Sequence, residues 1–177
     1  CEPAMKLACC GGILLRNPFA CAILKIGNHM KLLDKTKARL ASLTSMEKDL
    51  FAIPEVGFKE EKTQAYLRGE LSKRGLLVTK DFGINGFQVT MGQGTPHIGL
   101  IAEMDALFVP GHFQQGPNAE AHACGHHIQS TIMIHVMELL QEETFTGTVS
   151  LFAIAAEEYI DMSFRKQLQD QGVIELR

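Results

Sequence analysis

The sequence predicts an α/β fold, a partial sheet sandwiched by helices, on three observations. Apolar residues at helical spacing alternate with short β-type runs, the order expected of layered α/β architectures. Glycines at 83, 86, 92 and 94 punctuate the short runs as turns. The segment 148–155 is almost wholly apolar with no polar alternation, the mark of a central strand covered on both faces.

Each element follows from local chemistry. Leu33, Leu40, Leu43 and Leu50 recur among charged residues and predict an amphipathic helix from Leu32, which Pro54 ends. Residues 53–58 read as a turn, and a second helix over 60–74 closes at Gly75. Short strands are predicted over 76–79, 86–91 and 98–102. Ile128, Ile132, Val136, Leu139 and Leu140 predict a third helix, and Gly147 releases the chain into the apolar strand. Ser163 is the expected cap of a last helix toward Gln171, and 172–175 reads as the opening of another strand.

With 177 residues, 46% apolar and 21% charged, the chain suits one core of ordinary size. A formal charge of -3 leaves no basic footprint, which argues against nucleic acid or an anionic membrane as the main partner. Cys1, Cys9, Cys10 and Cys21 crowd the start and only Cys124 lies in the patterned region, so no spaced disulfide framework is expected and a reducing, cytoplasmic setting fits best. Arg16, Pro18 and Lys25 interrupt the apolar start before it reaches spanning length. Residues 1–29 are therefore expected to be a poorly ordered or appended extension, with the folded unit over 30–177.

The chemistry concentrates in His122-Ala123-Cys124-Gly125-His126-His127 and in Glu157-Glu158 thirty residues further on. Gly125 lets a tight turn aim Cys124 and His126 at one point. Thiolate and imidazole donors this close, with paired carboxylates at a strand end, are the donor set of a metal-assisted hydrolase. Adjacent glutamates repel and lose hydration unless a cation resolves the conflict, and the natural division is one ligand and one base. Glu103 and Asp105 follow another strand, so three sets of acids or ligands are expected at one sheet edge. Blander readings compete: a solvated acidic loop for the glutamates, and a buried cysteine with backbone-bonded histidines for the cluster. A metal-free Cys-His nucleophile is the functional rival, but it gives the carboxylates no task. His135 is expected to be structural or exposed, with the same reading for His97 and His112, although a substrate contact at His112 stays open; Met133 and Met137 read as core filler.

Ala102-Glu103-Met104-Asp105-Ala106-Leu107, the His-Ala-Cys-Gly-His run, Gly147-Thr148-Val149 leading to Ala156-Glu157-Glu158, and Pro54-Glu55-Val56-Gly57-Phe58 with Glu60 and Thr63 stand in one order. Together they resemble the aminoacylase and carboxypeptidase-like metallohydrolases, in the branch of indole-acetyl-amino-acid, hippurate and p-aminobenzoyl-glutamate hydrolases. The resemblance implies the N-terminal part of a zinc-peptidase-like catalytic domain and a site for two divalent ions, zinc or manganese. It implies Cys124 as the bridging ligand, His126 and Glu158 as further metal ligands, Glu157 as general base and Asp105 as the acid that orients a ligand. His127 stands where the family commonly has aspartate. The implied substrate is a small N-acyl or N-aroyl amino acid or short peptide-like amide, p-aminobenzoyl-glutamate among them, and the implied full-length form a homodimer. Two further histidine ligands and a lid or dimerisation domain have no counterpart before Arg177, so the chain is expected to be truncated and inactive alone. A non-catalytic remnant or binding module of the same fold is the alternative.

Overall fold

The computed structural model describes residues 29–158 and 161–175. Helix α1 spans His29–Phe51 and α2 spans Glu61–Lys73. Strands β1 Lys80–Asp81, β2 Phe87–Gln93 and β3 His97–Glu103 follow, then a small hairpin of β4 Leu107–Phe108 and β5 Glu120–Ala121. Helix α3 spans His126–Gln141, β6 spans Gly147–Ile154 and α4 spans Met162–Asp170. The order is the predicted α/β one. The expected extension lies outside the described residues save for His29, which opens α1, and the four early cysteines lie outside them too.

The main sheet runs β1-β2-β6-β3, with β6 antiparallel to β2 and parallel to β3. Its core face carries Phe87, Val89, Ala102, Val149, Leu151 and Ala153, clustered with Met46 and Leu50 of α1, Leu67 and Leu71 of α2, and Ile134 and Met137 of α3. Apart from the two alanines, each of these buried side chains stabilises the fold by roughly 1.5–3 kcal/mol through removal of apolar surface from water. The opposite face holds a polar row: Thr90 and His97 both approach the buried Ser150 hydroxyl, at 2.8 and 2.9 Å, and Gln88 donates to it at 3.0 Å. The central strand thus has one wholly apolar face and a second on which the hydrogen-bonded Thr148 and Ser150 give way to Phe152, stacked on Phe82, and Ile154.

Several local expectations give way to tertiary packing. Of the leucines expected on one face of α1, Leu50 is buried with Met46 and Leu43 packs against the core, whereas Leu33 and Leu40 are exposed, because the first half of the helix is held to α3 by ion pairs of Lys35 and Arg39 with Glu138, Glu142 and Glu143. On α3, Ile128 and Ile132 are exposed, and the buried face is His126, His127, Ser130, Thr131, Ile134, His135 and Met137. The helix packs on β3 along this mixed face, where hydroxyls and imidazoles find partners, so an apolar stripe points to the wrong side. Residues 76–79 are not a strand; Leu76 is buried in the core, the Thr79 amide donates to Gln88 of β2 at 2.8 Å, and the ladder itself begins at Lys80. Asp161 caps α4 by accepting from the Phe164 amide, and Ser163 only supports it through a hydroxyl bond to the same Asp161 oxygen. Residues 172–175 form no strand.

Parallel pairing of β3 and β6 brings their carboxyl ends to one edge, and α3, which returns between them, begins at that edge. The topology alone therefore juxtaposes the sequences after Glu103, at His126 and after Ile154.

Candidate metal centre

Gly125, at φ 94°, precedes α3 and turns the chain so that Cys124 and His126 face inward together. Across the edge, β6 ends at Ile154 and Ala156 takes a left-handed φ of 57°, which swings Glu157 and Glu158 out of strand geometry. One ligand atom each from Cys124, His126 and Glu158 lies within 4.8 Å of the others, a spacing that a single ion can span with ordinary bond lengths. A second set, Glu103, His126 and Glu157, meets the same criterion and shares His126. The chain bend lets the two adjacent glutamates serve different sets. Among the described residues, all five side chains singled out in the sequence, Asp105, Cys124, His126, Glu157 and Glu158, meet at this edge.

Asp105 is fully buried at the junction of these sets. Its Oδ2 accepts the Glu158 amide at 2.9 Å, while His126 Nδ1 lies 2.9 Å from its main-chain oxygen and 3.2 Å from Oδ1. Burial alone would raise the Asp105 carboxyl, but the His126 ring and the Glu158 amide outweigh it and hold the group below the usual aspartate range. Reciprocally, the Asp105 hydrogen bond and then Cys124 push His126 up to about 11 against its burial. With Nδ1 committed to Asp105, Nε2 is the His126 nitrogen that faces the carboxylates, 3.1 Å from Glu103 and 3.9 Å from Glu157. Glu103 is itself fixed by Gln129, which donates to its Oε2 at 3.0 Å and accepts its amide at 2.8 Å.

The other histidines stand apart from the donor sets. His122 is buried with neither ring nitrogen hydrogen-bonded, packed between His127 and Phe51, and burial pushes it down to about 4. His127 lies 3.3 Å from Glu47, yet burial still lowers its pKa. His135 is buried and structural, with Thr36 and Glu138 as partners; His97 meets Ser150, and His112 accepts the Gln114 amide within its own loop.

One buried acid, quoted above only among the residues that carry the resemblance, had been given no role at this site. Glu60 is 0% exposed, and its Oε1 accepts the Ala156 amide at 2.8 Å while Asn85 donates to Oε2 at 3.2 Å. Burial pushes its carboxyl up to about 7. A glutamate at a helix start reads as a cap or a surface charge, and only the fold shows what it reaches.

Comparison with known proteins places the fold and the family. No family profile matches the chain. It is 33% identical over 129 residues to the IAA-amino acid hydrolase ILR1-like 4 of Arabidopsis thaliana, covering 69% of this chain and 29% of that protein. It is 32% identical over 123 residues to the N-acetyldiaminopimelate deacetylase of Bacillus pumilus strain SAFR-032, covering 66% and 33%. Its fold matches the Bacillus subtilis YXEP protein, described as a dinuclear metal-binding peptidase from the M20 family, with a TM-score of 0.62, 25% identity, and 77% of this chain against 40% of that one. The matched stretch thus spans about a third of the length of those two curated relatives. The fold is part of an M20 peptidase catalytic domain. The chain belongs to the aminoacylase and carboxypeptidase-like metallohydrolases, as its motifs indicate.

Proposed function

We propose that this chain carries part of the active site of a metal-dependent amidohydrolase that cleaves N-acyl or N-aroyl amino acid conjugates. The observation that carries the reading is the convergence of Cys124, His126 and Glu158 ligand atoms within 4.8 Å. Thiolate, imidazole and carboxylate suit a borderline ion, and Asp105 already engages the Nδ1 side of His126 as metal-bound histidines require. Cys124, His126 and Glu158 would hold the ion, zinc or manganese, while Glu157, which stands with Glu103 on the other side of His126, is kept for proton transfer. A bound divalent ion would supply Lewis acidity toward the amide carbonyl and toward water.

The remaining work falls to the protein. Glu157, whose side chain is 46% exposed at the edge, is free to take the proton of the attacking water and return it to the leaving amine. Asp105 fixes the tautomer of His126 and the backbone of Glu158. The names of the two relatives, a hydrolase of amino acid conjugates and a deacetylase of an N-acetyl amino acid, support the substrate class. On this reading the protein works in a reducing cytoplasm, as a homodimer, on small substrates rather than on nucleic acid or membranes. No helix among the described residues is long and apolar enough to cross a membrane.

Metal analysis and hydrolysis of N-acetyl, indole-acetyl and p-aminobenzoyl amino acids by the purified chain test the proposal. The expected result is stoichiometric metal in wild type and Glu157→Ala and loss of metal in Cys124→Ser, with any hydrolysis that wild type shows absent from Glu157→Ala. Equal metal content in wild type and Cys124→Ser would overturn the site, and equal hydrolysis in wild type and Glu157→Ala would remove Glu157 as base. Metal binding without hydrolysis in wild type selects the non-catalytic alternative.

A further inference from the structure

The segment Pro54-Glu55-Val56-Gly57-Phe58-Lys59-Glu60 lies outside the donor sets, yet it contacts the turn that carries Glu157 and Glu158 at two points. Gly57 packs so closely on that turn that a Cβ on it would lie 2.8 Å from the Ala156 Cβ and 2.9 Å from its Cα. Glu60 accepts the Ala156 amide. Glu60 occupies the N-cap position of α2 but makes no cap bond. That task is done from the preceding turn by Glu55, which accepts the Thr63 and Lys62 amides at 2.8 and 3.2 Å. The Glu60 carboxylate is thus directed away from its own helix, fully buried, and held by Asn85, whose Oδ1 in turn accepts from Gln64.

Such an arrangement is costly unless it fixes something. Burying a carboxylate takes several kcal/mol of hydration from it. Ala156, a non-glycine residue at φ 57°, also holds a conformation that costs roughly 1 kcal/mol and persists only when surroundings impose it. Two buried acids grip the same turn on either side of Glu157: Glu60 at the Ala156 amide and Asp105 at the Glu158 amide. The span between the two held amides is the span that carries the base and the ligand.

We propose that Glu60 is a positioning residue: by holding the left-handed Ala156 backbone, with Gly57 packed beneath it, it aims Glu157 and Glu158 toward Cys124 and His126. The proposal rests on the functional reading of those two glutamates. It makes the Pro-Glu-Val-Gly-Phe signature a support for the reacting edge rather than a contact to substrate.

The test uses the purified chain with Cd²⁺ as probe, the Cys124 thiolate reporting binding by its ultraviolet charge-transfer band. Glu60→Gln keeps volume and an acceptor for the Ala156 amide, and is expected to hold Cd²⁺ within threefold of wild type; Glu60→Ala is expected to lose tenfold or more while keeping the thiolate band at saturation. An amide correlation spectrum near pH 8 gives a readout independent of metal: in Glu60→Gln the Ala156 amide proton moves upfield as its charged acceptor becomes neutral, and the Glu158 amide, held by Asp105, stays. Should Glu60→Ala not unfold cooperatively, Gly57→Ala, which leaves the hydrogen-bonding side chains in place and presses on Ala156, carries the affinity test with the same tenfold threshold. Wild-type affinity in the affinity-test variant, or an Ala156 amide unmoved in Glu60→Gln, overturns the proposal. If wild type itself binds no Cd²⁺, the metal reading fails, and the amide shift alone decides whether Glu60 holds the turn.

Discussion

Asparagine at position 105 is the most informative perturbation of the site, because it changes charge and donor pattern at constant volume. Asp105 is fully buried, with Oδ2 accepting the Glu158 amide at 2.9 Å and Oδ1 3.2 Å from His126 Nδ1. An asparagine has one oxygen and one NH₂ to place in these two positions. If NH₂ faces the Glu158 amide, two donors oppose each other; if it faces His126, it opposes the Nδ1 hydrogen that a ligand bound through Nε2 must carry. The first orientation loses the charge-assisted bond to the Glu158 amide, the second sets an NH₂ against Nδ1, whose own bond goes to the Asp105 main-chain oxygen, and both remove the negative charge beside His126, at a cost of about 2 kcal/mol. Converted at tenfold per 1.4 kcal/mol, Asp105→Asn is expected to weaken metal binding by roughly 30-fold. Competition for Zn²⁺ against a chromogenic chelator near neutral pH measures this, with circular dichroism confirming the fold. An affinity within threefold of wild type would refute the reasoning, because it would mean that neither the charge nor the orientation of the Asp105 carboxyl bears on the donor set.

Two further predictions concern stability. Glu60 is raised to about 7 in the folded protein against an unfolded value of 4.5, so the folded state binds more protons between these limits. Metal-free stability should therefore fall as pH rises from about 4.5 to 7, by up to about 3 kcal/mol from this group, and denaturant titrations should show a shallower fall in Glu60→Gln; an unchanged slope would contradict the burial argument. Asp161 is depressed to about 2 by the Phe164 amide, Lys59 and Ser163, so its contribution is present above pH 3.8 and lost as pH falls through about 2. Asp161→Ala, by removing the α4 cap, should cost about 1 kcal/mol near neutral pH and lose that difference in strong acid, as followed by thermal melts.

How much of this was legible beforehand differs by element. The order of elements, the Cys-Gly-His turn and the acid pairs at strand ends could be read because each has a local cause: helical spacing, a glycine free to take φ 94°, an apolar run ended by glutamates. The buried faces of α1 and α3 could be read only in part: Leu43 and Leu50 go inward as their spacing suggests, but Leu40 and Ile132 are as apolar as any core residue, and only their neighbours decide that Met46 and Ser130 are buried in their place. His122 shows the same limit within the cluster: one residue from Ala123 and two from Cys124, it turns away to Phe51 and His127.

The sequence by itself determined which donors this chain owns and at which element ends they stand, because residue identity and hydrophobic period are properties of neighbours along the chain. Tertiary structure decided which donors meet. Parallel pairing of β3 with β6 sets Glu103, His126 and the Glu157-Glu158 turn at one edge, and the buried Glu60, nearly a hundred residues before Ala156, holds that turn. Hydrogen bonds across such separations depend on the closed fold, and no window of sequence contains both partners.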